Sequence, residues 1–343
     1  MEHDWILYIA VFATAFGLSL FATPYAKTIS IKLNAIDYPK KRGMHKDPIP
    51  RMGGVAIIFG FMLSMLVIMP FMEKLRSKEM LGFIIGAVII AILGMLDDIK
   101  NLSPKKKLCV QIIAAMVVIF SGTKIEMVHW PFPIPLEFLS GPITLAWIIG
   151  VTNAVNLIDG LDGLAAGVSS IGALCLMILC IMTGSELAVI LTAGLAGSCL
   201  GFLPRNFNPA EVIMGDTGST FLGFVLAVTS IIGVFKTYTV LAVLLCTLAL
   251  ALPIFDTLFA MIRRLVNGKP IMQADRGHIH HRLIDSGLSQ IQAVFIIYGI
   301  SITCAVASIV IAMRDTVATF VTVVIIMVFS LMFFVYRKRT VKH

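Results

Sequence analysis

Charge is what this 343-residue sequence has least of. Asp, Glu, Lys and Arg make up 13% of it against 58% apolar residues, and only 19 residues are acidic. The length alone allows two soluble domains, but so little charge on so much apolar surface excludes an ordinary soluble protein. Other absences narrow the chemistry. No CxxC pair occurs, and the six cysteines (Cys109, Cys175, Cys180, Cys199, Cys246 and Cys304) all lie in apolar runs. That gives no support to a zinc site or a disulfide framework and predicts buried free thiols. HExxH, GxxxxGK[ST] and a Ser-His-Asp order are missing too, which removes a P-loop ATPase and a triad hydrolase.

What is present is a series of uncharged runs long enough to cross a bilayer, with a mean hydropathy of +0.96. The runs are continuous rather than alternating, so they predict helices and not a barrel. The expectation is an all-α, polytopic membrane protein forming one domain over 1–343, embedded in a lipid bilayer. Eleven spans are predicted, at 5–25, 53–72, 80–96, 108–121, 142–158, 164–183, 186–203, 218–235, 239–262, 291–313 and 316–336. The first follows Glu2 and Asp4 rather than a basic segment, which reads as a retained helix. With the N-terminus outside, the inner segments hold 21 of the 27 Lys and Arg residues, so the positive-inside rule favours N-out and C-in. The net charge of +8 is then a topology signal and not a nucleic-acid footprint.

Against this background the stretch Asn153-Ala154-Val155-Asn156-Leu157-Ile158-Asp159-Gly160-Leu161-Asp162 stands out. Its four polar residues recur every three positions, and on a helix they would form one polar stripe. A carboxylate at a helix centre in lipid costs roughly 2.5 to 3.5 kcal/mol, so such groups turn toward water, a cation or each other. Two Asp and two Asn exceed what inter-helix packing usually employs and point to a site.

Further polar groups fall on the same predicted inner side. Asp97 and Asp98 close the third span at the negative end of a helix dipole, an awkward place unless the nearby Lys105 to Lys107 or a divalent metal balances them. The first inner loop, Pro39 to Gly54, is rich in cations and backbone punctuation; as a shaped loop, its His45, Lys46 and Arg51 suit a phosphate, and as a plain basic patch it suits anionic lipid. In Pro204 to Ser219, Asp216 with Thr217 or Ser219 can cap the following helix, and a helix start also offers NH groups to phosphate oxygens. The segment Asp275-Arg276-Gly277-His278-Ile279-His280-His281-Arg282 carries three of the seven histidines between arginines, a pattern that suits a phosphate and sugar clamp better than zinc. Carboxylates with cations suit a Mg²⁺-bridged pyrophosphate, and hence phosphoryl transfer at the membrane surface.

Taken together, NAVNLIDGLDGLA (Asn153 to Ala165), GMLDD (Gly94 to Asp98), VIMGDTGS (Val212 to Ser219), the PIPRMGG loop and DRGHIHHRL (Asp275 to Leu283) resemble the polyprenyl-phosphate N-acetylhexosamine-1-phosphate transferases, in order and over essentially the whole chain. The order His278-Ile279-His280-His281-Arg282 resembles the GlcNAc-1-phosphate branch, not the lipid I branch with its three consecutive histidines. The resemblance implies UDP-GlcNAc as donor, undecaprenyl phosphate as acceptor, and Mg²⁺ or Mn²⁺ as cofactor. It also implies a bacterial cytoplasmic membrane location with a cytoplasm-facing site, and it is compatible with a homodimer. Position by position, it implies Asp216 as a metal ligand with Asn156 as a second, Asp97 and Asp98 as the paired acids, and Lys107 as a phosphate contact. Asp159 and Asp162 would organise nucleotide and metal, and Asn206 would lie near the uracil. His278, His280, His281 and Arg282 would hold sugar and pyrophosphate. The first loop departs from the lipid I enzymes in having His45-Lys46 in place of a Lys-rich run.

Three rivals remain at this level. Phospho-MurNAc-pentapeptide transfer is the other branch of the same resemblance. A CDP-alcohol phosphotransferase shares the start of its motif at Asp159-x2-Asp162-Gly163-x2-Ala166, but Gly167 replaces the required Arg and the later aspartates are missing. A nucleotide-sugar or lipid-linked-sugar transporter would also need polar groups in the membrane, yet no internal repeat is apparent and the acids cluster at span ends.

Overall fold

The computed structural model describes residues 5–38, 47–72, 76–129, 133–235, 250–266 and 279–313. Its helices are α1 (Trp5–Lys32), α2 (Gly54–Ile68), α3 (Lys78–Lys100), α4 (Pro104–Phe120), α5 (Ser140–Ile158), α6 (Leu164–Thr183), α7 (Glu186–Asn206), α8 (Gly215–Ser230), α9 (Ala251–Val266), α10 (Ile279–Asp285) and α11 (Gln290–Ala312). Two short antiparallel ribbons accompany them, β1 (Ile36–Asp37) with β2 (Ile49–Pro50), and β3 (Met127–His129) with β4 (Pro133–Pro135). Among the described residues, 8 helical segments are long and apolar enough to cross a membrane. The protein is thus an all-α polytopic membrane protein. The predicted span 316–336 lies outside the described residues, as does the start of 239–262.

Helix ends follow local chemistry. Ser77 Oγ accepts from Met80 N and opens α3, Pro104 occupies the first turn of α4, and Ser289 with Gln292 forms a capping box on α11. Several boundaries differ from expectation by a few residues, among them two helix C-termini. Helix α1 runs on past residue 25 to Lys32, through Pro24, and α3 continues past Leu96 to Lys100. Hydropathy stops at Asp97-Asp98, but the backbone does not, because the acids find cations within reach. A further difference concerns the polar stripe. Helix α5 ends at Ile158, and the chain turns through Gly160 and a left-handed Gly163 (φ 75°) before α6. Asn153 and Asn156 therefore stay on a helix, whereas Asp159 and Asp162 sit on a glycine turn and face different neighbours.

Helix α8 is the axis of the bundle. Every one of its residues is buried except Asp216, and it packs against α2, α3, α5, α6 and α7. Phe221 and Phe224 join Phe61 and Phe83 in an aromatic layer, with centroids 5.7 Å apart for Phe61–Phe221 and 6.4 Å for Phe83–Phe224. The perimeter is the reverse, exposing Ile6, Ile9 and Phe21 of α1 and Phe295 and Ile302 of α11, as a lipid-facing surface requires. Three cysteines (Cys175, Cys180 and Cys199) are buried free thiols as expected, but Cys109 is exposed on α4. Cys246 lies outside the described residues.

Small residues bring α1 against α7. A Cβ at Gly197 would run into the Phe12 carbonyl oxygen, and one at Gly201 into that of Phe16, so the two backbones meet with no room for a side chain. Gly197→Leu should therefore lower the stability of the purified protein by about 1 to 3 kcal/mol or more, the usual effect of overpacking, read as a fall in its detergent melting temperature. An unchanged melting temperature would show that the α1–α7 approach is not rigid.

Candidate functional site

The PIPRMGG loop is a shaped element. Ile213 N donates to the Pro50 carbonyl at 3.0 Å, while Gly53 N and Gly54 N donate to the carbonyls of Ile213 and Met214 at 2.9 Å each. Arg51 N is also held by the Ala35 carbonyl at 2.9 Å. The loop thus lies alongside the entry to α8 and places Arg51 beside Asp216. His45 and Lys46 lie outside the described residues.

The N-terminus of α8 has no cap from its own side chains. Asp98, from α3, supplies it. Asp98 Oδ1 accepts from Asp216 N at 2.9 Å, and Oδ2 accepts from Thr217 N at 2.9 Å and Thr217 Oγ1 at 2.6 Å. Arg51 Nε completes the set at 3.0 Å from Asp98 Oδ1, and the Asp98 side chain is 0% exposed. The capping role that the sequence offers to Asp216 with Thr217 or Ser219 thus falls to an acid 118 residues away. Two NH groups of the first turn, those of Asp216 and Thr217, are thereby occupied by a carboxylate and not open to a phosphate. Gly215, at φ 71°, is required there, since a Cβ would collide with the Arg51 carbonyl and the Asp98 carboxylate.

Asp97 faces the other way. Its Oδ1 accepts from Leu102 N at 2.7 Å and its Oδ2 from Lys107 Nζ at 2.9 Å. Lys107 Nζ also pairs with Asp216, and Arg51 Nη2 approaches Asp216 Oδ1 at 3.2 Å. Arg51 Nη1 reaches Asn101 Oδ1 at 3.4 Å, so each of its three nitrogens is engaged. Burial works against the Arg51 charge, but Asp98, Asp216, Asp37 and Asp97 outweigh it and hold the guanidinium above its ordinary pKa. Lys105 and Lys106 are exposed; of that run, Lys107 alone meets the acids. Asn156 joins from α5, its Nδ2 donating at 3.0 Å to Ser219 Oγ, one turn along α8 from Asp216.

Asp159 borders this cluster. Burial raises its carboxyl above the usual range, with the charges of Asp216 and Asp98 adding to the shift and Arg51 opposing it. Three carboxylates (Asp97, Asp98 and Asp216) face two cations (Arg51 and Lys107), an excess of one negative charge to which Asp159 would add a second on ionising. Burial is the larger part of the Asp159 shift, and this excess adds to it. Among the described residues no group of three His, Cys, Asp or Glu side chains forms a ready metal cage. Mg²⁺ needs none, being usually bound by one or two carboxylates together with waters and substrate phosphates. Hard oxygen donors and a surplus of negative charge suit such an ion.

Asp162 and Asn206 are directed elsewhere. Asp162 Oδ2 accepts from Asn208 Nδ2 at 2.9 Å and Ala210 N at 3.1 Å. Asn206 Oδ1 accepts from Gly163 N at 3.1 Å while its Nδ2 donates to the Val212 carbonyl at 3.0 Å. Both tie the 159–163 turn to the 206–212 loop. Asn208 also donates to Gln290 Oε1 at 3.0 Å, and Tyr298 Oη donates to the Gly163 carbonyl at 2.5 Å, so α11 fastens the same turn. His280, 2% exposed, packs directly on Gly160, its ring 4.3 Å from that of His281; Arg282 is exposed. Asp256 Oδ1 accepts from Ile279 N at 2.9 Å and seats α10. His278 lies outside the described residues. Asn101, Asn208 and Tyr298 carry no motif signal in the sequence, and only their neighbours in space reveal them.

Residues 80–234 match the model of glycosyl transferase family 4. The chain is 39% identical over 313 residues to the probable undecaprenyl-phosphate N-acetylglucosaminyl 1-phosphate transferase of Bacillus subtilis (strain 168), covering 90% of this chain and 86% of the relative. It is 33% identical to the decaprenyl-phosphate N-acetylglucosaminephosphotransferase of Mycolicibacterium smegmatis, with 83% and 77% covered. A phospho-N-acetylmuramoyl-pentapeptide-transferase of Staphylococcus epidermidis is 34% identical over only 55% of this chain and 63% of the relative.

The two adjacent acids therefore have separable duties, and substitution distinguishes them. Asp98→Ala strips the α8 cap and leaves Arg51 without a buried partner, which should lower stability by about 3 to 5 kcal/mol in a detergent melt. Asp97→Asn should leave the melting temperature nearly unchanged. Equal destabilisation by both would contradict the assignment.

Proposed function

The chain belongs to the polyprenyl-phosphate N-acetylglucosamine-1-phosphate transferase family and transfers GlcNAc-1-phosphate to a polyprenyl phosphate; we propose that its donor is UDP-GlcNAc, its acceptor undecaprenyl phosphate and its cofactor Mg²⁺, with Mn²⁺ as a substitute. The observation that supports this best is the convergence of Asp97, Asp98, Lys107, Arg51 and Asp216 at the single residue of α8 that is not buried. The reading of the site as cytoplasmic, in a bacterial inner membrane, rests on the inward bias of Lys and Arg.

In the proposed reaction a phosphate oxygen of the lipid forms a bond to the β-phosphorus of UDP-GlcNAc. The bond from that phosphorus to the bridging oxygen breaks, and UMP departs with the electron pair, leaving polyprenyl-diphosphate-GlcNAc. A divalent ion held by Asp216 and Asn156 would neutralise the pyrophosphate. Lys107, held between Asp97 and Asp216, presents its ammonium where phosphate oxygens enter, and Asp97 keeps it aimed. His280 lies against the neighbouring turn, and with His281 and Arg282 it would hold the sugar and pyrophosphate. A phosphate monoester has a second pKa of about 6, so the acceptor is largely dianionic at neutral pH and needs little help in losing a proton.

Two measurements test this. Purified protein given UDP-GlcNAc, undecaprenyl phosphate and Mg²⁺ should release UMP in step with a lipid-linked GlcNAc product. Release only with UDP-MurNAc-pentapeptide would transfer the protein to the other branch, and uptake of donor without UMP would make it a transporter. Asp97→Asn should then lose turnover equally at pH 6 and pH 8; near-normal turnover at pH 8 with failure at pH 6 would instead make Asp97 a base.

A further inference from the structure

Asn153 is one of the four polar residues spaced by three, yet no step of the transfer uses it. It is paired with Gln111 across the contact between α5 and α4. Asn153 Nδ2 donates to Gln111 Oε1 at 2.8 Å, Gln111 Nε2 donates back to Asn153 Oδ1 at 3.3 Å, and Asn153 Nδ2 also donates to the Ile149 carbonyl at 2.8 Å. Gln111 is 2% exposed. A closed amide pair of this kind offers nothing to a substrate, but it does fix how α4 is turned about its own axis.

That rotation matters because Gln111 lies four residues, about one helical turn, from Lys107 and shares its face. At its start α4 has no side-chain cap; it begins at Pro104, just beyond the left-handed Asn101 that ends α3. Turning α4 by about 20° would sweep the tip of a side chain about 6 Å from the axis through about 2 Å. Lys107 Nζ would then lose its 2.9 Å contact with Asp97 and its pairing with Asp216.

We propose that the Gln111–Asn153 amide pair is a positioning device for Lys107, locking the rotation of α4 so that the ammonium stays between Asp97 and Asp216. Its activity readout rests on the transfer reading above, whereas its chemical readout does not. Asn153→Leu and Gln111→Met should each lower kcat for UMP release by roughly ten- to a hundredfold, the scale of a misplacement of about 1 Å, with little change in KM for UDP-GlcNAc. The reciprocal exchange, Gln111→Asn with Asn153→Gln, should regain most of the rate. In a Lys107→Gln background, Asn153→Leu should produce no further loss.

Acylation of Lys107, followed by mass spectrometry on the full-length protein, should rise in Gln111→Met and fall back in the exchange variant. If Asn153→Leu does not accumulate folded, Gln111→Met and the exchange carry the test. Wild-type kcat in the single variants, or an equal fold-loss with and without Lys107, would overturn the proposal. A wild-type protein that releases no UMP but shows the labelling change would overturn the transfer reading and leave this one standing.

Discussion

One fully buried carboxylate holds the site together. Asp98 takes the Asp216 and Thr217 NH groups in the first turn of α8, the Thr217 hydroxyl and the Arg51 guanidinium, and so joins α3, the PIPRMGG loop and the central helix at a single point. In an apolar interior such a charge is tolerable only because every bond it can accept is made. Its partners are arranged with the right signs: the positive end of α8, a fixed guanidinium and a hydroxyl. Everything functional stands on this joint. Asp216 projects from the helix that Asp98 caps, and Lys107 reaches Asp216 from a helix that follows α3 directly.

The joint also explains why two adjacent acids do different work. Successive residues on a helix point about 100° apart, so Asp98 turns into the bundle while Asp97 turns toward Leu102 N and Lys107. One acid sets the scaffold, and the other aims a cation. A second tier of amides and hydroxyls, Asn206, Asn208 and Tyr298, ties the 159–163 turn to its neighbours, so that α10 with His280 comes to rest against Gly160.

Much of this was legible in the sequence. The helical membrane class followed from run length and from the scarcity of charge, and the predicted 142–158 and 164–183 spans agree with α5 (Ser140–Ile158) and α6 (Leu164–Thr183). The awkwardness of Asp97-Asp98 at a helix end correctly demanded cations, and Lys107 is one of them. The other, Arg51, reads in sequence as a phosphate contact or as part of a lipid-binding basic patch, because nothing in a linear pattern shows that a loop will run alongside Ile213 and Met214. The polar stripe misled for a related reason. A spacing of three describes one face only while the helix lasts, and the two glycines after Asp159 end it. The sequence offers Asp216 with Thr217 or Ser219 as the cap on α8, since a linear pattern shows only nearby caps, whereas a bundle can deliver one from any helix.

The central claim is that the head of α8 gathers more carboxylates than cations, and that the proposed divalent ion balances them. Titrating Mn²⁺ into the purified protein and following the free ion by electron paramagnetic resonance tests it most directly. The account predicts one Mn²⁺ per chain, displaced by Mg²⁺, and lost in an Asp216→Asn variant that still elutes as a folded protein. Equal Mn²⁺ binding by wild type and variant, or none by either, would contradict it.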